Sequence, residues 1–246
     1  RLGTPAPAAP PVTSIPKMQR VALAVGVVAL ALVAGVTAVG HVAVPRTAAP
    51  LFTAKAVVGE EFVNVALADY TAAGKTVVLL FYPFDFTFVC PTEIIAFSDA
   101  ADAFHELNAE VLAISTDSHH THLAWKRTSR EAGGLGDVRI PLVADTSKDI
   151  SRSYGVLVEN EDDDMYGAAL RGLFIIDPKG VIRSVTVNDD HVGRSVEETI
   201  RLIKAFTFAD EHAGQVCPAG WQPGDKTITA NPDGIRAFLA DKYGEQ

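Results

Sequence analysis

Cys90 lies where a predicted strand gives way to a predicted helix, and this position suits a reactive thiol. The run Val77–Tyr82 is apolar and rich in β-branched residues, which is typical of a buried strand. Apolar residues from Ile94 to Leu107 recur at helical spacing, so Cys90 falls in the first turn of that helix. Unpaired backbone N–H groups and the positive end of the helix dipole stabilise a thiolate there. The sequence therefore predicts a nucleophilic or redox-active cysteine.

The residues that precede Cys90 strengthen this prediction. Most free cysteines are buried core residues without a chemical role, so position alone does not identify a reactive thiol. Here Pro83 lies four positions before Thr87, and Thr87 lies three positions before Cys90. This Pro-x-x-x-Thr-x-x-Cys spacing resembles the active-site motif of the peroxiredoxins. The longer string Phe86–Glu93 resembles their typical two-cysteine class.

The resemblance extends from about Leu51 to the C-terminus. Further similar strings are Asp117–His119, His122–Trp125, Gly133–Gly136, Arg171–Asp177, Val192–Ser195 and Val216–Trp221. The last of these resembles the motif that carries a resolving cysteine. The resemblance implies a thioredoxin-like α/β fold, with a central mixed sheet flanked by helices and a C-terminal tail that bears Cys217.

The resemblance also implies a role for each residue around Cys90. Peroxide reduction needs a thiolate that attacks one oxygen while the other leaves with negative charge. Arg171 is expected to lie against the Cys90 sulfur, because a guanidinium stays charged and offers several donors. The Thr87 hydroxyl is expected to hydrogen-bond both peroxide oxygens, and Pro83 to shield the site from water. Without Cys90 nearby, Arg171 would be interpreted as an exposed arginine at a strand end.

Glu93 and Arg194 are predicted to support the site. A glutamate in the first turn of a helix is also ordinary capping chemistry, so structure alone could explain Glu93. The resemblance implies that it orients the arginines. Oxidised Cys90 would be a sulfenic acid, which condenses with a second thiol. The resemblance implies that this thiol is Cys217 of a partner subunit, whereas a purely structural Cys90–Cys217 disulfide is the alternative.

The expected activity is therefore the reduction of hydrogen peroxide and organic hydroperoxides. The resemblance implies a homodimer or a ring of dimers, with thioredoxin or a similar dithiol protein as reductant. It implies no haem, flavin or metal cofactor. A second hypothesis is an oligomeric holdase chaperone or redox-relay protein on the same fold. A disulfide reductase is less favoured because the sequence has no Cys-x-x-Cys motif.

Composition agrees with a globular enzyme and excludes some partners. The chain has 246 residues, of which 48% are hydrophobic and 21% charged, as expected for one domain plus an extension. Its net charge of −9 argues against nucleic acid as a partner. Two cysteines are too few for a disulfide-stapled scaffold, and they lack the spacing of a metal site.

Three neighbouring histidines, His119, His120 and His122, raise the question of a metal site. They lack an i, i+4 helical pair and have no thiol partner, and Asp117 is the only carboxylate close to them in sequence. We therefore predict a helix entry capped by Asp117 or Ser118 instead.

The glycine-rich string Gly133–Gly136 lacks the strand-loop-helix context of a phosphate-binding loop. In eukaryotic-type relatives this string pairs with a C-terminal Tyr-Phe element and favours overoxidation. The corresponding tail here reads Arg236–Leu239, so the resemblance does not extend to overoxidation sensitivity.

The first fifty residues match nothing in the family. Residues 1–16 are rich in Pro, Ala and Thr and predict disorder. From Val21 to Pro45 no residue is charged, which fits either a removable leader over residues 18–45 or a membrane anchor. We favour a leader of plastid or secretory type. A cytoplasmic location is the alternative if this start is an artefact of the gene model.

We expect three segments: residues 1–50 as this extension, residues 51–208 as the peroxidase domain, and residues 209–246 as the tail. The predicted strands are Thr76–Tyr82, Glu110–Thr116, Leu142–Ala144, Gly172–Ile176 and Val181–Val187. The predicted helices are Pro91–Asn108, His120–Glu131, Asp149–Tyr154, Val196–Ala209 and Gly234–Tyr243. The string Asp177–Gly180 predicts a tight turn and hence an antiparallel hairpin.

Overall fold

A seven-stranded mixed sheet carries the residues of interest. The structure is a computed structural model, which describes residues 43–244. The strands lie in the order β2-β1-β5-β4-β3-β6-β7. Their bounds are β1 Thr53–Val58, β2 Glu61–Ala66, β3 Thr76–Phe81, β4 Ala109–Ser115, β5 Leu142–Ala144, β6 Arg171–Ile176 and β7 Ile182–Asn188.

Strand β3 lies inside the sheet and is buried on both faces. It pairs in parallel with β4 and antiparallel with β6. Residues Val77 to Phe81 have no exposed surface, which explains why the strand reads as a continuous apolar run. Tyr82 and Pro83 continue from its carboxyl end, and this end faces the site described below.

Helices cover both faces of the sheet. They are α1 Leu67–Ala72, α2 Cys90–Asp99, α3 Ala101–Glu106, α4 His119–Arg127, α5 Asp149–Ser153, α6 Val196–Glu211 and α7 Pro232–Tyr243. Side chains of α2, α3, α4 and α6 pack against one face, where Phe97, Phe104, Trp125 and Ile203 are buried. Leu67 of α1 and Ile150 of α5 are buried on the other face. The expected mixed sheet flanked by helices is therefore observed.

The predicted hairpin between the last two long strands is present. β6 and β7 pair antiparallel, and Asp177 accepts backbone hydrogen bonds from Lys179 and Val181 through its carboxylate. Gly180 takes a positive φ of 76°, which a glycine adopts without steric cost.

Two predicted helices are shorter in the structure. The helix predicted over Pro91–Asn108 is divided at Ala100, which has φ −85° and ψ 6°. The division lets Phe97 and Phe104 stack at 5.8 Å inside one apolar cluster, a tertiary effect that helical spacing does not reveal. The helix predicted to reach Glu131 ends at Arg127, and a short 3₁₀ turn follows at Arg130–Ala132.

Strands β1 and β2 and helix α1 were not predicted. β1 and β2 form an antiparallel hairpin in which Val58 pairs with Glu61. Gly59, with φ 59°, turns the chain between them. A glycine between two apolar stretches was an available signal for this hairpin.

The tail beyond α6 contains two short strands and a helix. Strands β8 (Gln215–Val216) and β9 (Ile228–Thr229) pair antiparallel, and α7 follows. Trp221 is buried and its ring lies 4.9 Å from that of Phe208, so it packs the tail against α6. No residue of α7 is buried.

The predicted disorder and most of the predicted leader or anchor lie outside the described residues. Within residues 43–244, no helix is both long and apolar enough to cross a membrane. Residues shortly before position 51 contact the sheet: Arg46 N–H donates to Ile182 O, and Ala49 N–H donates to Gly180 O, both at 2.8 Å. The segment boundaries given above stay predictions.

Candidate active site

Cys90 is the first residue of α2 and is fully buried. Pro91 follows it in the first turn, where a missing N–H costs nothing. The Cys90 sulfur accepts a hydrogen bond from Nη1 of Arg171 at 3.4 Å. The structure thus places a thiol at a helix N-terminus and against a guanidinium, which are two features that favour a thiolate.

Arg171 is held in place by three hydrogen bonds. Besides Cys90, its Nη1 donates to Glu93 Oε2 at 2.6 Å, and its Nε donates to the carbonyl of Asp190 at 2.7 Å. Only 3% of the side chain is exposed, which rules out the exposed strand-end arginine considered above. The carbonyl of Asp190 lies in a loop that Asn188 closes by donating to Val192 O at 3.1 Å.

Glu93 joins the two arginines. Its Oε1 accepts from the backbone N–H and from Nε of Arg194, both at 2.7 Å, and its Oε2 accepts from Nη2 at 3.0 Å. Arg194 also donates to the carbonyls of Phe81 and Gly172, which ties it to β3 and β6. Burial lowers the pKa of Arg194, and the hydrogen bond to Glu93 opposes this effect.

These groups leave an uncompensated positive charge beside Cys90. Two guanidinium groups and one carboxylate sum to +2 − 1 = +1, and all three side chains are 3% exposed. A buried positive charge without a partner is costly, so the cluster stabilises a negative charge next to it.

Pro83 and Thr87 lie in the loop between β3 and α2. Pro83 is buried, and the Thr87 hydroxyl donates to the carbonyl of Phe84 at 2.9 Å. With its hydrogen used in this way, the Thr87 oxygen can accept a hydrogen bond from a hydroperoxide. Donation to the second peroxide oxygen would require the hydroxyl to leave Phe84.

Cys217 belongs to a different environment. It follows β8, is half-buried, and its S–H donates to the carbonyl of Ala205 in α6 at 3.7 Å. Burial raises the pKa of this thiol, and Arg201 acts in the opposite direction. Both cysteines are free thiols. The structure therefore brings Cys90, Glu93, Arg171 and Arg194 into one hydrogen-bonded cluster and leaves Cys217 outside it.

The histidines lie at the start of α4, and one of the two predicted caps is observed. The Ser118 hydroxyl accepts from the backbone N–H of Thr121 at 3.2 Å. Asp117 instead accepts from the backbone N–H of Asp85 at 2.8 Å, which ties it to the loop before Cys90. Sequence reasoning missed this link, and it missed the buried contact between His122 and Asp85 at 2.8 Å. Nothing in the spacing of the two residues indicates it.

The fold and the cluster together define the family. The model of the AhpC/TSA family matches residues 45–185, and that of the C-terminal domain of 1-Cys peroxiredoxin matches residues 205–241. The chain belongs to the AhpC/TSA family, and its fold is the thioredoxin-like fold that the sequence predicted. The second match includes Cys217.

Individual proteins resemble the chain over most of its length. A "Thioredoxin peroxidase" from Echinococcus granulosus is 56% identical over 192 residues, which are 78% of this chain and 95% of that protein. A mitochondrial "Thioredoxin-dependent peroxide reductase" from Bos taurus is 56% identical over 78% of this chain and 71% of that protein. The reduced 2-Cys peroxiredoxin of Plasmodium vivax superposes with a TM-score of 0.75 at 42% identity, covering 80% of this chain and 98% of that structure.

Proposed function

We propose that this chain is a thioredoxin-dependent peroxidase that reduces hydrogen peroxide and organic hydroperoxides. One observation carries the proposal. The Cys90 sulfur is buried at the N-terminus of α2 and lies 3.4 Å from Nη1 of Arg171. The names of the relatives, thioredoxin peroxidase and thioredoxin-dependent peroxide reductase, support it.

In the first step the Cys90 thiolate attacks one peroxide oxygen. An S–O bond forms and the O–O bond breaks, so the sulfur is oxidised by two electrons to a sulfenic acid. The second oxygen leaves as hydroxide or alkoxide and takes a proton from water. Arg171 offers a fixed cation where this charge develops, which lowers the barrier without reorganisation.

The loop before Cys90 would orient the peroxide. The Thr87 oxygen has free lone pairs, so it can accept from the peroxide O–H and hold that same oxygen, the one that becomes the sulfenic acid oxygen, toward the sulfur. Pro83 is buried in the wall of this loop, where it has no N–H to attract water. Glu93 and Arg194 keep Arg171 aimed at the sulfur through the bonds described above.

In the second step the sulfenic acid condenses with Cys217 of a partner subunit, releasing water and forming a disulfide. Thioredoxin or a similar dithiol protein then reduces this disulfide by thiol exchange. A second copy is the natural partner for the tail, because α7 leaves Ile235, Leu239 and Tyr243 exposed. We therefore propose a homodimer, or a ring of such dimers, with two intersubunit bridges.

The comparisons favour the peroxidase over the second hypothesis, an oligomeric holdase chaperone or redox-relay protein. The proposed reaction needs no cofactor beyond the protein thiols. The net charge of −9 still argues against nucleic acid as a partner.

The test follows NADPH oxidation by the full chain with thioredoxin, thioredoxin reductase and hydrogen peroxide. We expect turnover for the wild type and none for Cys90→Ser, because a serine hydroxyl has no accessible anion at neutral pH. Cys217→Ser is the matched control: it should still consume about one equivalent of peroxide and then stop as the sulfenic acid.

The covalent state distinguishes the resolving thiol. After peroxide treatment, the wild type should run as a disulfide-linked dimer on non-reducing gels, and Cys217→Ser should not. An intrachain bridge in the wild type would refute the intersubunit mechanism, and normal turnover by Cys217→Ser would refute a resolving role for Cys217. Turnover by Cys90→Ser would refute the proposed nucleophile.

A further inference from the structure

His122 is a fully buried histidine that the mechanism above does not use. It projects from α4 beneath the loop that precedes Cys90. Its Nδ1 lies 2.8 Å from Asp85 Oδ2, and its Nε2 lies 3.2 Å from the carbonyl of Val143 at the sheet. Asp85 lies two residues after Pro83 and two before Thr87, so His122 connects this loop to the sheet.

The partner of Nε2 defines its role. A backbone carbonyl can only accept a hydrogen bond, so Nε2 carries a hydrogen and donates it to Val143 O, while Nδ1 and the Asp85 carboxyl share the second hydrogen bond. The Asp85 carboxylate also accepts from the Tyr82 hydroxyl at 2.8 Å. Burial raises the pKa of Tyr82 well above its ordinary value, and Asp85 adds to the effect, so this hydroxyl stays a donor.

The loop that His122 holds is strained. Phe86 follows Asp85 directly and has φ 55°, a left-handed conformation that a bulky side chain rarely adopts. Contacts on both sides keep it there. The Thr87 hydroxyl bonds to Phe84 O, and the Phe86 ring lies 5.9 Å from that of Trp125. A strained conformation persists only when its surroundings enforce it, and the hydrogen-bonded His122–Asp85 pair is a fully buried part of these surroundings.

We propose that His122, through its buried hydrogen bonds to Asp85 and Val143 O, is a positioning residue that holds the loop Pro83–Thr87 in its peroxide-binding conformation. The inference rests on the proposed function. In this proposal, different residues support the two parts of the site. Arg171 and Glu93 stabilise the Cys90 thiolate, whereas His122 aligns the Thr87 oxygen. The other charged or titratable groups near the pair are Asp117, which bonds to the Asp85 backbone, and His119 on the same helix.

Two amide substitutions test the two hydrogen bonds of His122 one at a time. In His122→Asn the amide nitrogen takes roughly the place of Nδ1 and can donate to Asp85. In His122→Gln it takes roughly the place of Nε2 and can donate to Val143 O, while Asp85 loses its hydrogen bond to residue 122 and keeps only the one from the Tyr82 hydroxyl. Each variant loses one bond, so similar melting temperatures are expected. His120→Gln and His120→Asn, on the exposed face of the same helix, are the matched controls.

The readout compares two reactions of Cys90. For His122→Gln we expect the rate constant with hydrogen peroxide to fall about a hundredfold, as a misplaced reacting group does. For His122→Asn the loss should stay within about tenfold, the scale of one hydrogen bond. Alkylation of Cys90 by iodoacetamide needs the thiolate and an opening of the first turn of α2, but no hydrogen bond between Thr87 and a peroxide, so it should stay nearly unchanged in both variants.

Equal losses in the two variants, or a parallel loss of alkylation, would make His122 merely structural and overturn the proposal. Should neither variant fold, long-range ¹H–¹⁵N spectra of the wild type decide: an Nε2 of His122 without hydrogen could not donate to Val143 O and would also overturn the proposal. A wild type without peroxidase activity would contradict the proposed function, which is a separate outcome.

Discussion

Replacing Arg171 by methionine tests the electrostatic basis of the site. Methionine keeps much of the side-chain volume but removes the charge and all three hydrogen bonds. A unit charge at the observed 3.4 Å from the sulfur is worth about 5 kcal/mol at an effective dielectric constant near 20. Arg194 and the N-terminus of α2 retain part of this stabilisation. We therefore expect the peroxide rate constant to fall about a hundredfold to a thousandfold.

The assay measures the Cys90 thiolate separately from turnover. Iodoacetamide alkylation of Cys90, followed from neutral to alkaline pH in the Cys217→Ser background, reports the thiolate fraction. We expect Arg171→Met to slow alkylation at neutral pH and to recover it at alkaline pH. Glu93 keeps its three bonds from Arg194, so the variant should fold.

Arg127→Met is the matched control, because Arg127 is exposed and pairs with Glu60 at the surface. It should change neither the alkylation profile nor the peroxide rate. If Arg171→Met left the alkylation profile of Cys90 unchanged, the guanidinium would be a structural group and the electrostatic argument would be wrong.

Two further predictions concern Glu93 and Cys217. In Gly193→Ala the added methyl group would lie 3.3 Å from Glu93 Cγ, so it should displace the Glu93 side chain. We expect lower peroxide turnover with little loss of melting temperature. Unchanged kinetics would contradict this prediction. The raised pKa of Cys217 means a smaller thiolate fraction at a given pH. In folded Cys90→Ser, the rate of Cys217 alkylation should therefore rise at a higher pH than it does in the same variant unfolded in urea. Arg201→Met should move this rise further upward, and a downward shift would refute the role of Arg201.

The elements that were predicted correctly have strong local signals. The apolar run of β3 and the Asp177–Gly180 turn each depend on neighbouring residues alone, and both were predictable. The division at Ala100 depends on how Phe97 and Phe104 share one cluster, which is a tertiary effect. Segments that are short and only partly apolar, such as β8 and β9, carry too weak a pattern to be identified.

The site was predictable to a similar extent and for the same reason. The spacing of Pro83, Thr87 and Cys90 is a local pattern, and the structure places these residues in the loop after β3 and at the start of α2. Arg171 and Arg194 could be named only through resemblance, since both are far from Cys90 in sequence. The bridging geometry of Glu93 and the burial of His122 required the structure, because each depends on contacts between separate elements.

The burial of Cys90 has a consequence for the order of the proposed steps. A sulfur with no exposed surface cannot meet a second thiol until the first turn of α2 opens. In the proposed mechanism the Cys90 thiolate and Glu93 together balance the two arginines, which would favour a closed turn. Oxidation to a neutral sulfenic acid would remove one negative charge and leave the buried cluster at +1. Peroxide attack would thus weaken one of the interactions that hold Cys90 in place, and opening would release the strain of the left-handed Phe86 before it. On this proposal, the charge that promotes the first step also favours the exposure needed for the second.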